Sequence, residues 1–213
     1  MNSTLDKRVK AAEKRLDELE RSSAEELVTS DLIKQGVSAF KFFSTEKNYY
    51  DTSLSARANY LNAEVKQLCK TVLFENTLNT SKSTQDVSDS KYYCVVVQYQ
   101  AKIDVDLLRD VIISMRNKNK LTRKNFNFML ASEEVSDRLT GFKHNGVCPF
   151  GLKCGTIPVI VCRHVLEAGP MIFLGGGHPQ MKLCLSTKEF ETCPTVHCGG
   201  AISTPRLLLD NDK

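Results

Sequence analysis

No stretch of this 213-residue chain approaches the ~18 consecutive apolar residues that a membrane-spanning helix needs, so no membrane contact is expected. The opening MNSTLDKRVKAAEK has no apolar secretory segment, and its acidic residues argue against a transit peptide; the expected location is cytoplasmic. No GxGxxG or P-loop follows any predicted strand, which argues against an enzyme built on a nucleotide cofactor. No cofactor is expected. No two of the eight cysteines form a CxxC, so neither a zinc knuckle nor a dithiol redox motif is spelled out. Equally absent are a Ser-His-Asp or Cys-His arrangement and an obvious carboxylate pair.

What is present is the balance of a globular protein, 41% hydrophobic and 25% charged, long enough for one ordinary domain plus a modest appendage. The net charge of +4 is compatible with a polyanionic partner but too mild to imply one. The nearest thing to a basic block, Arg116, Lys118, Lys120, Arg123 and Lys124, reads as a solvated loop. Cys94, Cys162 and Cys184 lie inside apolar runs, where cysteine behaves as a small hydrophobe, and all eight are expected to be reduced. Cys193, His197 and Cys198 cluster but lack a fourth ligand, so no metal is expected there.

Hydrophobic periodicity predicts a first helix over residues 5–21, with Val9, Ala12, Leu16 and Leu19 at coiled-coil spacing. A capping box at Ser23 and Glu26 predicts a second helix from about 24 to 35, ending at Gly36. The first helix either lies across its own domain or serves as a docking arm. Asp51 or Thr52 is expected to cap a short helix in SLSARANYLN. Strands are expected over 37–43, 68–76, 91–100, NFNFMLA, 157–162, 170–176 and 181–186, with helices over 104–117 and from Ser132 to Gly141. Residues 77–90 read as a polar loop, and the tail RLLLDNDK as a fraying end. The class is therefore α+β: a mixed central sheet of about seven strands with flanking helices, residues 36–213, preceded by an N-terminal helical extension, residues 1–35.

Three segments carry polar chemistry where structure alone would not ask for it. Lys70 and Thr71 interrupt the apolar strand LCKTVL, and alternation places Lys70 opposite Cys69 and Thr71. A lysine in a central strand must reach water, pair with an acid or line a cleft. Thr140-Gly141-Phe142-Lys143-His144-Asn145-Gly146-Val147-Cys148-Pro149-Phe150-Gly151 describes a backbone bent tightly enough to aim amide N–H groups at a carbonyl or oxyanion. Gly175-Gly176-Gly177-His178 permits close approach of another group after an apolar strand. His144 and His178, each beside a glycine turn, are candidate acid–base groups. Each segment is also what a plain edge lysine or chain reversal would look like.

The order of these segments is more specific than any one of them. LCKTVLFENT, then TGFKHNGVCPFG, then IPVIV and FLGGG, spread from about Tyr49 to Leu185, resemble the YbaK family, the editing domain associated with prolyl-tRNA synthetase, and within it the eukaryotic free-standing branch. The resemblance implies an α+β domain whose cleft accepts the aminoacylated 3′ end of a tRNA and hydrolyses a wrongly attached amino acid. It implies that Lys70 holds the terminal adenosine and aminoacyl group, that Thr71 lines the same pocket, and that backbone groups from Asn145 to Pro149 position the ester and the attacking water. Gly175, Gly176 and Gly177 would form the opposite wall, and Gly141 and His178 are also expected substrate-binding positions. Lys70 and Gly146 are the expected catalytic positions.

The chain departs from the family at three places. Asn145 stands at the glycine of the GxxxP pattern, with Gly146 beside it. Cys162-Arg163 follow IPVIV where many members carry an aspartate. His178-Pro179-Gln180-Met181-Lys182-Leu183 replaces an acidic-x-D-L-K-L run. These departures admit an alternative, a YbaK-like module that binds tRNA or a synthetase assembly without turnover. The expected partners are aminoacyl-tRNA and, through the helical extension, an aminoacyl-tRNA synthetase or a second copy of the chain.

Overall fold

A computed structural model describes residues 2–80, 86–115 and 121–206. The expected basic loop falls largely outside these residues, as do the middle of the polar loop and the tail after Arg206. The N-terminal extension is one continuous helix, α1 (Asn2–Lys34), rather than two. Ser23 sits inside it, because ending a helix and nucleating another costs more than propagating through a run of strong helix formers. α1 stops as expected at Gly36, whose φ of +82° closes a Schellman turn: Val37 N–H donates to Leu32 O at 2.9 Å and Gly36 N–H to Ile33 O at 3.1 Å.

β1 (Phe40–Ser44) and α2 (Leu54–Tyr60) follow. The cap of α2 is Ser53, which accepts the Ala56 N–H at 3.2 Å; the expected caps Asp51 and Thr52 lie two residues and one residue too early, in a short 3₁₀ segment and its end. Then come β2 (Cys69–Asn76), β3 (Tyr92–Gln98), β4 (Ala101–Ile103) and α3 (Val105–Ser114). β5 (Phe128–Leu130) leads into α4 (Glu133–Thr140), capped by Ser132 and ended by Gly141 at φ +80°. The remainder is β6 (Val159–Val161), α5 (Arg163–Leu166), β7 (Met171–Gly175), β8 (Met181–Ser186), α6 (Thr187–Thr192), β9 (Val196–Cys198) and β10 (Ser203–Pro205).

The seven expected strands are all present, divided between two sheets. β2, β3, β5 and β6 join β9 in a five-stranded mixed sheet of order β5-β2-β3-β6-β9, while β1, β8 and β7 make an antiparallel three-stranded sheet. β4 and β10 pair with each other, at the turn after β3 and near the chain's end. β3 is the axis of the mixed sheet, antiparallel to β2 and parallel to β6. Tyr93 to Val97 are wholly buried, which explains an apolar run without alternation: both faces of β3 are covered. The two sheets meet at the Leu68–Phe173 bridge beside β2 and β7.

The second half of α1 belongs to the core. Val28 and Leu32 are fully buried, and the Asp31 carboxylate accepts the Gly151 N–H at 2.7 Å. All eight cysteines are free, six of them buried. No helix among the described residues is long and apolar enough to cross a membrane.

Candidate functional site

β5 pairs with β2 only from Phe74 to Asn76, and Ala131 N–H closes the ladder on Leu73 O at 2.9 Å. Between the Leu68–Phe173 bridge to β7 and Phe74, no strand among the described residues pairs with that edge of β2. A cleft of about 350 Å³ opens there, and four consecutive residues, Lys70 to Leu73, reach it because it meets the strand edge rather than one face. The first turns of α4 supply a second wall with Glu133, Ser136 and Asp137. His144, Asn145 and Val147 form the rim, and Tyr99, Leu130, Ala131 and Gly175 the remainder.

Lys70 is half-buried, with no carboxylate at ion-pair distance among the described residues. Its ammonium lies 6.0 Å from the centre of the Tyr99 ring, within the range of a cation–π contact. Burial, and then the charge of Arg206, lower its pKa from the ordinary lysine value. Thr71 Oγ1 and Asp137 Oδ1, on residues that line the cleft, are buried without a hydrogen-bond partner among the described residues. Such orphans are rare and mark places that a ligand or water completes.

The rim is built by interlocked glycines. Asn145 adopts the left-handed region at φ +67°, and Gly146 N–H donates to Lys143 O at 2.9 Å, closing a tight turn. Gly146 O then accepts the Gly177 N–H at 2.8 Å. A Cβ on Gly175 would stand 2.3 Å from Val147 O, and one on Gly146 would stand 2.9 Å from the His178 carbonyl carbon. Only glycine at both positions lets the rim cross the end of β7 this closely. The N–H groups of Asn145 and Val147 have no acceptor among the described residues.

Behind the rim lies a buried cation. Lys182, 2% exposed, donates to the Tyr50 hydroxyl, which donates in turn to Asn145 O at 2.5 Å. Burial first, and then Arg57, pull the Lys182 pKa down to about 7. Its ammonium sits over the Tyr50 ring at 4.6 Å and the Tyr99 ring at 5.6 Å, and Tyr99 reaches the cleft. Lys182 thus fixes the rim without lining the cleft.

Of the expected site residues, Lys70, Thr71, Asn145, Val147 and Gly175 converge on the cleft. Gly146 does not line it, and its amide is spent in the turn, so the free donors of the rim are its neighbours. Gly141 is the cap of α4, and Pro149 faces a separate cavity beside Asp31. Gly176 packs against Met181, and Gly177, at φ +95°, packs against Ala24 and Phe142. His178 is buried toward α1: its Nε2 is 3.5 Å from Asp17 Oδ1, its Nδ1 accepts the Gln180 N–H, and burial is the main cause of its lowered pKa. Cys162 lies in the core with its Sγ 3.2 Å from Ser203 Oγ, so the departure there does not touch the cleft. Among the described residues no group of three or more His, Cys, Asp or Glu side chains is placed to hold a metal.

Sequence reading misses Tyr99, Asp137, Ser136, Glu133, Tyr50 and Lys182. The polar first turn of α4 looks like ordinary capping, and Tyr50 is far from the rim in sequence. Lys182 did leave a trace, since it interrupts the apolar run MKLCLS just as Lys70 interrupts LCKTVL.

Comparison with known proteins adds to this geometry. The structure superposes on a crystal structure described as a candidate trans-editing enzyme for prolyl tRNA synthetase, with a TM-score of 0.63 and 18% identity, covering 82% of this chain and 94% of that one. It superposes also on the hypothetical protein APE2540, with a TM-score of 0.61 and 18% identity, covering 84% and 99%. No curated protein sequence matches the chain significantly. At these identities the likeness speaks for the fold. A model of the aminoacyl-tRNA editing domain matches residues 50–193, which hold β2, α4, the glycine rim, β7 and Lys182. The chain belongs to the aminoacyl-tRNA editing domain family.

Proposed function

We propose that the chain is a trans-acting aminoacyl-tRNA deacylase that hydrolyses the ester of a mischarged tRNA. The observation that supports this reading is Lys70, without a carboxylate partner among the described residues, in a cleft bounded by an open strand edge and by Asn145 and Val147, whose N–H groups have no acceptor among the described residues. At about 350 Å³ the cleft is at the small end of ligand pockets, a size for an aminoacyl group with part of its ribose.

In this reading Lys70 holds the 3′ end, and the N–H groups of Asn145 and Val147 face the ester carbonyl. Water adds to the carbonyl carbon, the bond to the ribose oxygen breaks, and the proton lost by the water passes to that oxygen. The products are a free amino acid and a tRNA with its hydroxyl restored. An aminoacyl ester is already activated, so oriented dipoles suffice, and one such donor is worth about 3 kcal/mol. The Asp137 carboxylate, lining the same cleft, suits the substrate's α-ammonium, and Thr71 Oγ1 its remaining polar contact.

Multiple-turnover hydrolysis of Ala-, Cys-, Ser- and Thr-charged tRNA by the wild type and by Lys70→Ala tests the reading. The expected outcome is turnover of one of them, reduced about 100-fold or more in the variant. A second reading, binding without turnover, draws on the engaged amide of Gly146. Retained tRNA binding with no hydrolysis of any of the four would establish it and end the first.

A further inference from the structure

The first half of α1 carries an apolar stripe that none of the described residues covers. Leu5, Val9, Leu16 and Leu19 are 62, 47, 58 and 61% exposed, and Ala12 between them is exposed too. Their 4-3-4-3 spacing is a coiled-coil seam, with Val9 and Leu16 at a positions and Leu5, Ala12 and Leu19 at d positions. The helix docks on its domain through another face: Asp17, Glu20, Ala24, Val28, Asp31 and Leu32. At 3.6 residues per turn that face lies about a third of a turn from the stripe, so docking leaves the stripe open. The seam ends where Ser23 and Glu26 occupy the next a and d positions.

The flanking charges say what fits it. Positions g hold Arg8 and Arg15, and positions e hold Asp6, Glu13 and Glu20. In a parallel pair each g residue faces the e residue five further along the other helix, so Arg8 meets Glu13 and Arg15 meets Glu20, each contact occurring twice by symmetry. An antiparallel pair would set arginine against arginine and acid against acid. Glu20 already bonds Lys143 of its own chain at 2.8 Å, which leaves Arg8–Glu13 as the cleaner determinant. Val9 at one a position, with Leu5 and Leu19 at d, is in keeping with two parallel strands, whereas Leu16 at the other a position and Ala12 at d add nothing to that choice, so the charges carry it.

We infer that residues 5–19 of α1 form a parallel two-stranded coiled coil with a second copy of this chain, holding two domains at one end of a seam about 22 Å long. This does not depend on the catalytic reading. Two heptads make a weak contact, so the dimer is concentration-dependent.

Sedimentation equilibrium of the full chain up to about 100 μM tests it. The wild type is expected to self-associate to a dimer and Leu16→Asp, an exposed position, to remain a folded monomer. Arg8→Glu should weaken association about tenfold, and Arg8→Glu combined with Glu13→Arg should restore it. Ala12→Cys should form a disulfide-linked dimer under mild oxidation that the wild type does not. A monomeric wild type would overturn the inference and leave the stripe to a heterologous helix. Tighter association of Arg8→Glu would overturn the parallel orientation, and a dimer that survives Leu16→Asp would place the interface elsewhere.

Discussion

Lys70 and Lys182 each replace an apolar residue in a strand, yet they solve the cost of a buried charge differently. Lys70 keeps one side on a cleft. Lys182 is sealed among Tyr49, Tyr50, Tyr99 and Arg57 with no carboxylate at ion-pair distance among the described residues, and its pKa falls to about 7. The unfolded chain, with an ordinary lysine value of 10.5, stays protonated from pH 7 to 10 while the folded protein does not. Folding therefore gains free energy from this group as pH rises through that window, and the gain is absent below pH 7. Lys182→Met should accordingly melt above the wild type at pH 6, with the difference shrinking by pH 9; thermal melts at three pH values would show it. The thiol of Cys69 and the phenol of Tyr50, both pushed up by burial, oppose the trend only toward the top of that window, where the unfolded chain begins to ionise them. Gly175 makes a sterically simpler case. Gly175→Ala drives a methyl into Val147 O, and overpacking of about 1–3 kcal/mol should appear as a lowered Tm with loss of deacylation.

At the scale of elements, α1 is two things joined end to end. Its second half supplies Val28 and Leu32 to the core, while residues 4–16 are exposed throughout. A chain starting at residue 17 should fold and melt close to the full-length protein. One starting at residue 36 should lose several kcal/mol, since removing two buried aliphatic side chains alone costs about 4 kcal/mol or more. Circular dichroism melts of the two truncations distinguish them. The strands were legible because seven apolar runs are bounded by Gly, Pro or polar turns. The continuity of α1 was not, because Ser23 and Glu26 spell a cap that is decisive only where the preceding residues leave the helix. α4 was legible as a helix, with Ser132 and Gly141 at its ends, but not as a cleft wall: that depends on where β5 stops pairing with β2.

For the whole molecule, the cleft exists because two sheets and one helix end meet at an unpaired strand edge. Sequence order carried the family's arrangement, and with it Lys70, Thr71, Asn145, Val147 and Gly175. Which loop amide stays free was hidden, since it turns on Asn145 taking positive φ and Gly146 closing the turn. The division into two sheets was hidden as well, because strand pairing is a long-range property that alternation does not encode.

The open edge of β2 has a colloidal side. An unpaired strand edge is a template for another chain's backbone, and proteins guard such edges with charge, lysine above all. Lys70 stands in that edge, so the residue proposed to hold the substrate is also placed to keep the sheet from growing outward. A protein that gave up the reaction would still have reason to keep the lysine.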